Sequence, residues 1–169
     1  EFITSKSNGV RGWELIDNSD WIVHGTSRNS PDDAKLDVID SAQQIGANAL
    51  INLQYYKTKG SEPGTGNGTY HFTVHNFCGR AVTLAKRNSN GHFKANDLTG
   101  LNQTAQTLKN ALVAKSKASK RKRNIVWLMV IVLSFFAYEI QPLAIIAFVI
   151  IGFIFGRATN YDSWLQKPN

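Results

Sequence analysis

The sequence predicts an α+β domain followed by a helical hairpin, and three observations carry that expectation. A capped segment of helical period at 31–45 stands among segments of strand period. Eleven residues of turn chemistry, Thr58–Gly68, separate two of those strands. Near the C-terminus, two apolar arms, Ile125–Tyr138 and Leu143–Gly156, flank Glu139-Ile140-Gln141-Pro142.

Residues 1–9 read as a flexible lead-in. Arg11–Ile16 and Trp21–Gly25 hold β-branched and aromatic residues around the turn-prone Asp17–Asp20, which predicts a strand pair or one bulged strand. The first helix is better marked. Ser30 is an N-cap, Pro31 suits the first helical position, and Asp33 completes a capping box. Ala34, Val38, Ala42 and Ile45 make one apolar stripe, and Gly46 ends the helix. Leu50–Lys57 reads as a strand with Ile51, Leu53 and Tyr55 on one face. Thr69–Phe77 alternates, with Tyr70, Phe72 and Val74 on one face and His71, Thr73 and His75 on the other. A bend at Cys78-Gly79 leads to a last strand, Gly79–Lys86. One helix on a small antiparallel sheet is the expected layer.

Gly46-Ala47-Asn48-Ala49-Leu50-Ile51 after a helix, and Gly79-Arg80-Ala81-Val82 near the domain end, resemble the YbjQ-like (UPF0145, heavy-metal-binding-like) proteins. The second motif departs from the family pattern in having Arg80 where Thr is usual, and the resemblance covers roughly residues 20–87. Short dodecin-like β-α-β-β domains share the same punctuation. The resemblance implies a β-α-β-β fold that assembles as a homo-oligomeric ring, commonly a pentamer, with no established enzymatic activity. A sheet this small under one helix independently leaves a face or an edge that needs a partner.

After a loop at 88–96, Leu98, Leu101, Ala105, Leu108 and Leu112 form a short heptad seam. It fits either an oligomer seam in a stalk or a helix lying on the domain, and Gly100 weakens its first turn. The net charge of +7 concentrates just beyond it, in Lys115, Lys117, Lys120, Arg121, Lys122 and Arg123. Residues 1–95 are near neutral, which argues against nucleic acid; the cations are read as contacts to anionic membrane lipid.

A single helix over 125–156 would be about 48 Å long, too long for a hydrocarbon core of about 30 Å. Two arms turning at Glu139–Pro142, each roughly 23 Å and so short for a span, are expected to form a transmembrane hairpin, with a re-entrant hairpin that never crosses as the alternative, and Trp127, Tyr138, Tyr161 and Trp164 at the interfaces. The cations before the first arm place both termini in the cytoplasm of a bacterial inner membrane. The single cysteine, Cys78, and the lack of a signal-peptide pattern suit a reducing compartment. Gly152 and Gly156 form a GxxxG suited to close helix packing, between subunits or between the arms. The expected organisation is a lead-in (1–9), a cytoplasmic domain (10–95), an amphipathic helix with a basic stalk (96–123), the hairpin (124–158) and a tail (159–169).

No catalytic constellation is visible, so an enzyme is not expected. Asp32, Asp33, Asp37 and Asp40 suit capping and solvation, and Gly64–Gly68 lacks the P-loop Lys and leads into a strand. No cofactor or metal is expected; His71, His75 and Cys78 are weak candidates only. The two histidines, four apart in a strand, lie about 13 Å apart and cannot share one ion. The expected role is a non-catalytic, membrane-anchored scaffold, with a ligand or metal sensor binding between subunits as the alternative.

Overall fold

A computed structural model of the chain describes residues 2–64, 66, 68–140 and 144–168, with only the backbone of 138–140 and 144. The elements are β1 (Ile3–Thr4), β2 (Glu14–Ser27), α1 (Pro31–Gln44), β3 (Ala49–Pro63), β4 (Thr69–Ala85), a 3₁₀ turn (Ala95–Leu98), α2 (Leu101–Ile140), α3 (Ala144–Phe155) and β5 (Leu165–Gln166). They divide into two units, residues 1–108 with 163–169, and Lys109–Asp162.

In the first unit one five-stranded sheet has the order β1-β3-β4-β2-β5. It is mixed, because β1 runs parallel to β3 while the other pairs are antiparallel. Both edges at the core end are closed by residues far apart in sequence, the lead-in on one side and the C-terminal tail on the other. The lead-in is thus structural. Phe2 packs on one face of the sheet and Ile3, Val10 and Trp13 cover the other.

Helix α1 begins where its cap chemistry predicts: Ser30 Oγ accepts from Asp33 N at 3.0 Å. Its stripe Ala34, Val38, Ala42 and Ile45 has no solvent exposure. Val38, Ala42 and Ile45 share a core with Val23, Leu50 and Ala81 on the sheet. Each large side chain so buried contributes about 1.5–3 kcal/mol. The helix can lie this close because Gly25 of β2 has no Cβ to meet Val38.

Long-range pairing revised the strand readings. The Asp17–Asp20 stretch is an irregular part of a single strand, with register shifts after Leu15 and Asn18. Its polar groups cap α2: Asp17 Oδ2 accepts from the N–H groups of Gly100 (2.6 Å) and Leu101 (2.9 Å). Asn102 Oδ1 accepts in turn from Asp20 N at 2.8 Å. The helix therefore starts at Leu101, after Gly100 at φ +117, and not at the beginning of the expected segment 96–123. Leu50 and Leu53 share the α1 face while Ile51 joins the opposite cluster. A bulge at Asn52, φ +53, shifts the register between Ile51 and Gln54. No bend occurs at Cys78-Gly79; β4 is continuous. Gly79 there permits close packing, since a Cβ would sit 3.3 Å from Ile51 O.

The predicted transmembrane hairpin is corrected. Among the described residues, no helix is long and apolar enough to cross a membrane. The first arm is the end of a continuous 40-residue helix whose earlier turns are polar and basic. Its apolar part with described side chains, 125–137, runs only about 20 Å, and the 12 residues of α3 about 18 Å. Both fall short of the roughly 30 Å hydrocarbon core. The inner-membrane placement, and the cytoplasmic termini deduced from it, fall with the hairpin. Gln141 and Pro142 of the expected turn lie outside the described residues, as does the side chain of Glu139.

Candidate functional site

The two motifs behind the family resemblance meet in the structure and are consumed by the fold. Gly46 adopts φ +86 and its N–H bonds Gln43 O at 2.9 Å, closing α1. Asn48 then clamps β4 with both ends of its amide. Nδ2 donates to Leu84 O and Oδ1 accepts from Leu84 N, each at 2.8 Å. Ala49 stands opposite Val82, and Leu50 opposite Ala81. These residues position strands; none of them presents a reactive group.

Across the three central strands His24, Cys78 and Gln54 lie in one row. Burial pushes the Cys78 thiol up and holds His24 below its ordinary value. Tyr56, two residues along, is raised by burial and then by the charge Cys78 would carry. The row thus favours neutral side chains at ordinary pH, and a protonated thiol is a poor nucleophile. Sequence reasoning left this row unread, because it is visible only once the register is known.

The metal candidates separate. His75 Nδ1 bonds Tyr55 Oη at 2.7 Å, and Tyr55 leans on Phe77 with centroids 4.9 Å apart. His71 stands further out, opposite Ser61. Among the described residues no group of three or more His, Cys, Asp or Glu gathers in ligand geometry.

Beyond the core, β3 and β4 continue as a two-stranded arm. β2 leaves β4 at His75, opposite Ser27, while β3 pairs onward to Pro63–Thr69. On one face of the arm the Arg28 guanidinium sits 3.8 Å over the Phe72 ring and bonds Glu62 at 2.9 Å. Phe72 in turn packs over Gly60, its cross-strand partner, and stacks with Tyr70 at 6.0 Å. Tyr55, Tyr56 and Tyr70 remain exposed.

Of the heptad residues, Leu101 and Ala105 are buried in the core of the first unit and Leu108 packs against it. Leu98 and Leu112 are half-buried. The early part of the seam is therefore a helix docked on its own domain.

In the second unit, Gly152 and Gly156 meet α2. A Cβ at Gly152 would stand 3.1 Å from Val130, and one at Gly156 2.8 Å from Trp127 Nε1. Trp127 meets Phe153 edge to face, 5.4 Å between centroids. The GxxxG thus serves contact between the two arms. Residues 159–162 return along α2 in a polar staple. Ser116 Oγ donates to Asp162 Oδ1 (2.8 Å) and accepts from Tyr161 N (2.9 Å). Lys109 Nζ reaches Asp162 Oδ2 at 3.0 Å. The Ser116 hydrogen bond first, and Lys109 next, hold the Asp162 carboxyl below its ordinary value. Lys115 covers the Tyr161 ring at 4.3 Å. The other five cations of the basic run point less inward: Lys117, Lys120, Arg121, Lys122 and Arg123 are exposed or nearly so.

No protein-family model and no curated protein matches the chain. Among solved structures it is similar to a crystallised protein of unknown function of the DUF74 family from Pediococcus pentosaceus. The identity is 18%, over 50% of this chain and 98% of that one, with a TM-score of 0.32. At that score the likeness decides neither fold nor function.

Proposed function

We propose that the chain is a non-catalytic scaffold whose first unit is a YbjQ-like domain that self-associates. The β3–β4 arm carries this reading. A two-stranded ribbon is marginal by itself in water, and its unpaired backbone groups invite another strand. At the core end β1 and β5 cover the sheet edges, whereas along the arm no described strand pairs outside β3 or β4. The two open edges belong to different strands. Pairing the β4 edge of one copy with the β3 edge of the next is head-to-tail, and such contacts form a ring when the rotation closes. Exposed Tyr70 and Tyr56 add aromatic area to that contact.

The test is the mass of the full chain by native mass spectrometry and light scattering. A single closed oligomer is expected. Tyr70→Lys with Val74→Lys, which puts two charges on the open strand, is expected to reduce it to monomer without loss of circular dichroism. A wild-type chain that stays monomeric at high concentration would sink the proposal.

A further inference from the structure

The second unit exposes apolar side chains on both helices, Ile146, Ile150 and Ile154 of α3 among them, and the outward face of α2 adds cations to such a surface. Its inward face, Ser116, Trp127 and Val130, meets the returning tail and α3. Opposite lie Lys117, Lys120 and Arg121, followed one to three turns later by Ile125, Leu128 and Met129. Together with Asn124 these residues line an open groove of about 470 Å³. The apolar face then continues through Val132 to Phe135, and Leu128 and Phe135 are 61% and 75% exposed. An apolar stripe this continuous marks an interaction surface.

Charge decides what covers it. From Ala111 to Tyr138 the helix holds six Lys or Arg and no Asp or Glu. A second copy laid parallel on this face would set cations against cations, and an antiparallel copy would bury them against hydrocarbon. A surface that is anionic at one level and hydrocarbon just beneath satisfies both halves. We infer that this face docks on an anionic phospholipid surface. Lys117, Lys120 and Arg121 meet headgroup phosphates, and Ile125, Leu128 and Phe135 enter the acyl boundary. The helix meets the surface at a tilt, its turns at 125–135 deeper than those at 117–121, where the long cationic side chains reach back to the phosphates, and it does not cross. This contact is independent of self-association by the arm.

Flotation of the purified full chain with vesicles tests it. Binding is expected with phosphatidylcholine vesicles containing phosphatidylglycerol, weaker with phosphatidylcholine alone, and weaker again in high salt. K117Q/K120Q/R121Q, all on exposed side chains, is expected to weaken partitioning to the anionic vesicles about 100-fold. Leu128→Asp should weaken it while leaving the oligomer mass unchanged. Equal binding to both vesicle types, no binding to either, or full binding by the triple variant would overturn the inference. So would a fall in oligomer mass on Leu128→Asp, which would make a second copy the occupant.

Discussion

Replacing Gly25 by Ala tests the closest approach in the first unit. A Cβ there would stand 2.7 Å from Val38 Cα and would also collide with Val38 N and Ala34 O. All three are backbone atoms of α1, so no side chain can swing aside. Ordinary contact requires the helix to retreat from the sheet by about 1 Å, and a gap of that size forfeits a quarter to a half of each contact it opens. Val38, Ala42 and Ile45, all fully buried, face that gap. Set against about 1.5–3 kcal/mol for each large buried side chain, the loss is about 2 kcal/mol. The bond from Thr26 N to Asp37 Oδ2, now 2.7 Å, would stretch and remove roughly 1 kcal/mol more. The expected total is about 3 kcal/mol, a fall of at least roughly 1 M in the urea midpoint of the full chain followed by circular dichroism. Gly9→Ala, with nothing within 4 Å of the new carbon, is the matched control and should be near neutral. If Gly25→Ala unfolds at the wild-type midpoint, α1 does not rest on Gly25 and the packing argument is wrong.

Two further outcomes follow from particular contacts. Asn48→Ala removes both bonds to Leu84 and leaves the N–H and C=O of that buried residue without them, a loss of about 2–3 kcal/mol readable as a lower urea midpoint; retention of the wild-type midpoint would refute the clamp. Because the folded carboxyl of Asp162 is depressed, its contribution is fully present above the ordinary value of 3.8 and is lost as pH falls through the lower, folded value. Amide exchange at Tyr161 should therefore be faster in Asp162→Asn than in wild type at neutral pH, and the difference should close only at acid pH below 3.8. A difference that closes on the alkaline side instead would show that Asp162 is not what secures the tail.

Helix α1 was legible almost to the residue. Ser30, Pro31, Asp33, the Ala34–Ile45 stripe and Gly46 each act on residues no more than about four positions away, which is the range over which caps and periodicity operate. The alternation of β4 was legible for the same reason. Asn52 shows where this stops. Nothing nearby marks it as a bulge, because the bulge exists only relative to β4. Asp17 shows it again: its neighbours read as a turn, yet its carboxylate caps a helix more than eighty residues later.

The apolar arms mark the boundary most clearly. The sequence by itself placed two apolar arms, Ile125–Tyr138 and Leu143–Gly156, behind a run of cations, since composition is a local property. Only the tertiary structure decided that Leu101 and Ala105 belong to the core of their own domain, and that Gly152 serves Trp127 and Val130. The same holds for the sheet edges, which Ile3 and Leu165 close at one end only. Each of these depends on which face another part of the chain covers, and that information lies in the contacts between distant segments, not in any one of them.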